Sequence, residues 1–220
     1  MSYKKKGRYL IFMLAICLIL SGCVNKKTPV EKMYNVLEKV VSKEEVFEEQ
    51  QDPLVKLEKE EKEKYDQIIG LGMKEYDQII KLSDEAIALT DKRKEHMDKE
   101  TESLKKSEQE FRKVADIKDE LDNAELKKLI NELNEIMTQR YRAHEELYKE
   151  YSESLKSDKD LYEMFKNKNL AREDLEAQVS KLNETYKKVL EANENFNKLT
   201  EQYNDKKLLF YKKAGLKLNK

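Results

Sequence analysis

The sequence predicts an all-α protein, an elongated antiparallel helical bundle or coiled coil of spectrin-like proportions, and three observations carry that prediction. Only 5 Gly and 2 Pro occur in 220 residues, too few to punctuate an all-β fold or a many-layered α/β enzyme. Charged residues make up 40% and broadly hydrophobic ones 39%, which suits long Glu/Lys/Leu helices better than an ordinary globular core. The apolar residues recur at steps of three, four and seven, which separates a folded bundle from a disordered polar chain. The same composition excludes the two-lobed α/β body of a solute receptor.

The first 23 residues set the compartment. Lys4, Lys5, Lys6 and Arg8 form a basic stretch, and Tyr9 to Leu20 follow as 12 residues without a charge. That run is shorter than the ~20 residues of a spanning helix and matches the apolar core of a signal peptide. Leu20-Ser21-Gly22-Cys23 then resembles a bacterial lipobox closely. Small residues fit the peptidase cleft, and Cys23 supplies the thiolate that takes a diacylglyceryl group. The competing reading is an uncleaved anchor helix with a chance cysteine. All three signal-peptide parts occur in order, which favours a lipoprotein signal peptide over residues 1–22 and an S-diacylglyceryl Cys23 open to N-acylation, for instance by palmitate. Two acyl chains anchor stably where one is marginal, so the expected place is the outer face of the cell membrane. Cleavage removes four basic residues and no acid, leaving 40 against 45 and a balance of −5. It also removes Cys17, and with Cys23 lipidated no thiol, disulfide or Cys-based metal site remains.

Residues 23–28 read as a lipidated tether, Val24 to Thr28 spanning at most ~17 Å. The body of the protein is expected over 29–213. Thr28-Pro29-Val30-Glu31 is a helix start, with Thr28 as N-cap and Pro at the first position, and that helix is expected over about 29–50, packed on the side of the bundle. Asp52-Pro53 repeats the signal, so a second helix is expected over about 53–116. Inside it, Tyr65-Asp-Gln-Ile-Ile69 returns as Tyr76-Asp-Gln-Ile-Ile80. Eleven residues make three turns, so both copies would face one way on a continuous helix. Gly70-Leu71-Gly72 lies between them, and the helix is expected to pass through or bend there. The glycines read either as a hinge or as tolerated within a local duplication.

The remaining helices follow from their spacing. Tyr76, Ile80, Ile87, Met97, Leu104 and Phe111 carry the second helix, weakening near Arg93 to Thr101. After a polar turn at Asp116 to Asn123, Leu126, Ile130, Leu133, Met137, Leu147 and Tyr151 carry a third over about 123–166, broken by Arg140 and His144. A turn at Asn167 to Asn169 leads to the fourth, about 170–213, where Leu175, Leu182, Val189, Phe196, Tyr203 and Phe210 recur every seven residues. A second seam reads Val179, Tyr186, Asn193, Thr200 and Lys207. Asn193 is either a buried register-fixing polar residue or part of a solvated end. Gly215 stands where a C-cap glycine belongs. Such seams wind helices left-handedly and short turns make neighbours antiparallel; they would serve a homo-oligomer as well as one chain. The expected rod has no compact core able to enclose a substrate.

No constellation declares a chemistry. His96, flanked by Lys92 and Glu100, reads as an exposed residue; His144, with Arg140 and Tyr148 one turn away, reads as part of a wet seam. No phosphate loop, nucleophile elbow or HExxH occurs, so neither an enzyme, nor a cofactor, nor a metal is expected. Tyr141, Tyr148 and Tyr151 would offer glycan rings a stacking platform, but their helical spacing favours the core. Residues 214–220 form a basic tail, and six lysines (Lys206, Lys207, Lys212, Lys213, Lys217 and Lys220) face one acid from Asp205 onward. Some of this complements a helix C-terminus; the excess is a candidate contact for lipid headgroups or an anionic wall polymer. The compartment and the −5 balance exclude nucleic acid.

A lipobox, a Thr-Pro-initiated helix, the Asp-Pro pair and about 200 Lys/Glu/Tyr-rich helical residues together resemble the YkyA-type lipoproteins of Bacillus and relatives over the whole chain. The lipobox is the specific motif; composition and spacing supply the rest. The resemblance implies a Gram-positive envelope lipoprotein with a proposed wall-binding role, carries over Cys23 alone, and brings no catalytic residue. The expected function is therefore a non-enzymatic, membrane-anchored binding or spacer protein that meets peptidoglycan or teichoic acid. The alternative is a coiled-coil scaffold for an envelope protein complex that binds no wall polymer.

Overall fold

In the computed structural model residues 27–216 are described. The lipobox residues Leu20, Ser21, Gly22 and Cys23, and Lys217 and Lys220 of the tail, lie outside the described residues. Among the described residues every regular element is helical. In order they are α1 (Pro29–Lys43), α2 (Glu45–Gly70), α3 (Tyr76–Phe111), α4 (Val114–Ile117), α5 (Ala124–Phe165) and α6 (Arg172–Lys213), with 3-10 turns at Met73–Glu75 and Lys118–Glu120. These make four antiparallel arms: α1 with α2, α3 with α4, α5, and α6. An arm of 42 residues, as α5 and α6 are, spans ~63 Å at 1.5 Å per residue.

Cross-arm bonds set the order. Lys64 meets Glu85 and Gln51 meets Glu100 between the first and second arms. Ser107 meets Tyr141 between the second and third, and Lys206 meets Glu132 between the third and fourth. Tyr34 packs on Tyr211 and Phe47 on Phe196, joining the first arm to the fourth. The elongated antiparallel bundle expected from the seams is the fold. Its first arm is not a short side helix, however, but a full partner in a four-helix up-and-down arrangement.

Two boundaries differ from expectation. The first arm breaks at Glu44, and the helix runs straight through Pro53. Met33, Val40, Phe47, Leu54, Glu61 and Ile68 fall at steps of seven across that proline, and all face the interior. Burial of one continuous seam outweighs the lost amide and the ring clash of a single proline, about 3 kcal/mol. At Glu44 other groups mend the break. The Ser103 hydroxyl donates to the Lys43 carbonyl at 2.6 Å and accepts from the Phe47 amide at 3.1 Å. Arg140 holds the Glu44 carboxylate with two hydrogen bonds of 2.9 Å. At its start the arm carries a reciprocal cap: Thr28 Oγ1 accepts from the Glu31 amide, and Glu31 accepts from the Thr28 amide.

Gly70 and Gly72 neither sit within a continuous helix nor bend one. The chain reverses there, so the expected helix over 53–116 is a hairpin, with Ile68 of α2 and Ile79 of α3 sharing one buried cluster. The duplicated Tyr-Asp-Gln-Ile-Ile segments therefore straddle a turn. Tyr65 packs against Phe165, and the Tyr76 hydroxyl donates to the carbonyl of Lys166, so both copies close over the end of α5. At the opposite end Asn123 caps α5 by accepting from the Leu126 amide at 3.0 Å. Gly215 adopts φ 69°, and the Leu216 amide reaches the Tyr211 carbonyl at 3.0 Å, closing α6 in a Schellman turn.

The near end of the bundle is where α1 begins and α6 ends; the far end holds the turns at 71–75 and 166–171. A large apolar cluster fills the near half and the middle, from Met33 and Phe210 to Leu54, Met97 and Leu147. A small one (Ile68, Ile79, Leu82, Ala86, Tyr162) closes the far end.

Candidate functional site

Between those two clusters lies a buried polar layer to which all four arms contribute, its charges standing on the first three. Arg93 of α3 is 2% exposed, Glu61 of α2 3% and Asp158 of α5 2%. Arg93 Nη1 stands 2.6 Å from Glu61 Oε2 and 3.3 Å from Asp158 Oδ2, and its Nε donates to the Tyr151 hydroxyl at 3.0 Å. Tyr151 in turn donates to Glu58 at 2.8 Å. The Tyr186 hydroxyl of α6 reaches both Asp158 oxygens, at 2.8 and 2.9 Å. One guanidinium thus faces three carboxylates, since Glu58 also approaches it at 3.6 Å.

Burial dominates the electrostatics. It lifts the Glu61 carboxyl to about 7; Arg93 pulls it down, and the like charge of Asp158 pushes it up further. Burial likewise raises Asp158, against Arg93 and the Tyr186 hydroxyl. For Arg93 burial opposes the charge, but Tyr151 and Glu61 hold the guanidinium protonated. The phenols of Tyr151, Tyr162 and Tyr186 are all raised, first by burial, and stay neutral.

A groove of about 680 Å³ opens over this layer, between the first and fourth arms. Leu54 and Val55 stand on one wall, Val179, Leu182, Val189 and Leu190 on the other, with Arg93, Glu61 and Asp158 along the floor. Val55 and Leu190, at the two lips, are 66% and 62% exposed. Its origin is visible along α6. Phe196, Leu199, Tyr203, Phe210 and Tyr211 are all buried in the near half, whereas Leu175, Val179 and Val189 are only half-buried in the far half. The two arms close on each other at Phe47–Phe196 and leave the groove beyond it.

Residues 28–213 match the protein family described as "Putative cell-wall binding lipoprotein", YkyA. The chain belongs to the YkyA family. A relative from Bacillus subtilis (strain 168), named uncharacterized lipoprotein YkyA, is 36% identical over 206 residues, covering 94% of this chain and 92% of the relative. A crystal structure of a conserved Staphylococcus aureus protein of unknown function shares the fold, with a TM-score of 0.72 at 19% identity over 86% of this chain and 98% of that one. The family and this relative are both described as lipoproteins, and among the described residues no helix is long and apolar enough to cross a membrane.

In this YkyA-family bundle the residues singled out from sequence scatter. Tyr141 and Tyr151 are core residues, bonded to Ser107 and to Arg93 and Glu58. Tyr148 is half-buried, donating to Asp98 and accepting from Lys94, so the three offer no common stacking face. His144 is not in a wet seam: it is 2% exposed and meets Glu100 at 3.0 Å. His96 is half-buried rather than exposed, its Nδ1 2.8 Å from Gln50. Asn193 is exposed at the groove, and the register-fixing reading fails. Val179 and Tyr186 line the groove beside it, Thr200 accepts from Arg140, and the Lys207 ammonium lies over the Tyr203 ring. The line actually buried beside the heptad of α6 is Thr185, Ala192 and Leu199, three residues on rather than four.

Of the tail lysines, Lys206 pairs with Glu132 and Lys213 with Glu125, both at 2.7 Å. Burial lowers the Lys207 ammonium, and Lys212 is exposed. Sequence reading missed Glu61, Arg93 and Asp158 as a site. The available signal was phase: each sits at a step of seven from apolar seam residues, Glu61 from Leu54 and Ile68, Arg93 from Ala86, Asp158 from Tyr151. Charges in phase with a core are either paired or functional.

Proposed function

We propose that this protein is a non-enzymatic rod, lipidated at Cys23 on the outer face of a Gram-positive membrane, that offers the groove in its far half to a component of the cell wall. The position of the groove carries the reading. Its midpoint, near Glu58, lies 30 residues beyond Thr28, or ~45 Å along the rod at 1.5 Å per residue. An anchor at Cys23 would thus hold the site off the bilayer and toward the wall. The family description supports a wall partner. Binding rather than turnover is supported by the floor, where Arg93 is held between Glu61 and Asp158 and Tyr186 is held by Asp158. Lys212 belongs to the near end and under this reading would meet anionic headgroups instead, a role also tested for Lys217 and Lys220.

Lipid-free chain 24–220, mixed with purified sacculi with and without their anionic polymers, tests this. Sedimentation with both, lost in Leu190→Lys and kept in Lys212→Ala/Lys217→Ala/Lys220→Ala, is expected. Binding that vanishes on stripping the anionic polymers would move the contact to the lysines; no binding to either would leave a scaffold for envelope proteins as the function.

A further inference from the structure

We propose that the groove takes a short peptide chain, apolar along its body, that inserts one lysine-type ammonium between Glu58, Glu61 and Asp158. The inference rests on the groove being the ligand site and adds the chemistry of what fills it. Charge is the first argument. The floor sets one guanidinium, Arg93, against three carboxylates, and the other basic residue lining the groove, Lys62, is engaged by Asp66 at 2.6 Å. An entering ammonium balances the excess, whereas an anion would add to it.

Shape is the second argument. Groove residues run from Gln51 to Tyr65 on α2 and from Val179 to Asn193 on α6, ~21 Å along either helix. That length accommodates about six residues of extended peptide at ~3.4 Å each. Leu54 and Val55 on one wall and Val179, Leu182, Val189 and Leu190 on the other give the groove aliphatic stretches, and the exposed lips at Val55 and Leu190 would be covered by an apolar backbone-and-side-chain strip. An aliphatic stem ending in an amine matches the path from these walls to the carboxylates; a planar guanidinium would collide with the place Arg93 already fills. A wall-borne peptide is the source that agrees with the proposed function.

The test uses the lipid-free chain 24–220 and the pentapeptide acetyl-Leu-Ala-Lys-Ala-Leu-amide, with norleucine and glutamate analogues at the central position, titrated by calorimetry. The lysine peptide is expected to bind at least tenfold more tightly than the norleucine peptide, with no binding of the glutamate peptide. Leu190→Lys, at an exposed lip, should abolish binding without altering the circular dichroism, and Glu61→Gln should reduce the lysine preference. Equal or tighter binding of either analogue, or no binding of any peptide, overturns the inference. Competition separates the two levels. If the lysine peptide displaces the protein from sacculi, both stand. If it binds without displacing, the ligand chemistry stands and the wall reading of the groove falls. If no peptide binds while Leu190→Lys abolishes sedimentation, the wall reading stands and this inference falls.

Discussion

Arg140 of α5 grips Glu44 through two hydrogen bonds of 2.9 Å, at the one residue where the first arm leaves helical geometry. Arg140 is 2% exposed and also donates to Thr200 of α6, so a single guanidinium fastens three arms at mid-length. Ser107 adds a 2.6 Å hydrogen bond to the same carboxylate. The clamp holds the kink in register with the arms on either side.

Arg140→Leu should therefore destabilise the bundle by about 3 kcal/mol, since it strands a mostly buried carboxylate. The double variant Glu44→Gln/Arg140→Leu should recover much of that loss. Urea unfolding of the four members of this cycle checks it; additive losses would mean that the two side chains do not act as a pair.

The buried carboxylates make stability depend on pH. Folded Glu61 keeps its proton up to about 7, while the ordinary value is 4.5. Between those values the folded state binds more protons than the unfolded one, so stability falls as pH rises through the window. The groups facing Glu61 are Arg93 on α3, Asp158 and Tyr162 on α5, Tyr186 on α6 and Glu58 on its own helix. Asp158 shifts in the same direction. The urea midpoint should be lower at pH 8 than at pH 5, with a Glu61 share on the order of 2 kcal/mol, and Glu61→Gln should flatten the profile.

Pro53→Ala should stabilise the fold, by up to about 3 kcal/mol, because the helix passes through this position with a missing amide. Thermal unfolding followed at 222 nm reads the shift directly. A loss of stability would show that the proline ring packs more productively than a continuous backbone.

Gly72→Ala should raise stability by about 0.4–1 kcal/mol. Gly72 has φ −99°, and a Cβ there meets nothing within 4 Å. The turn uses neither a left-handed residue nor close backbone approach, so the glycine serves only to loosen the unfolded chain. A destabilised variant would show that the reversal needs glycine after all.

The fourth arm was readable because its heptad is apolar: Leu182, Phe196, Tyr203 and Phe210 are all buried. The first arm was not, because Asp52-Pro53 carries a local stop signal and Glu61 interrupts the apolar count. Both were overridden by tertiary burial that a local reading does not weigh. Gly70 and Gly72 were visible, but a hairpin and a bend leave the same two residues on the page; only the pairing of Ile68 with Ile79 decides. The groove was hidden for another reason. It arises where the first and last arms part, and residues such as Val55 and Leu190 stand more than a hundred positions apart in the chain. Val179, Tyr186 and Asn193 show the cost: their spacing suits a core seam, and they stand on the groove wall instead.

The clamp at Glu44 also bears on mechanics. Were the chain tethered by its N-terminus and a ligand held in the groove, as proposed, tension would enter at Pro29 and leave through the α2 wall of the same arm. The arms lie parallel to that pull, so neighbouring helices must slide past one another along their length rather than peel apart one turn at a time. The weak point on that path is the interrupted backbone at residue 44, and the Arg140 fork from α5 fastens it to the neighbouring arm. A rod built this way would yield late under stretching and, if it yielded, would part first at the joint between α1 and α2.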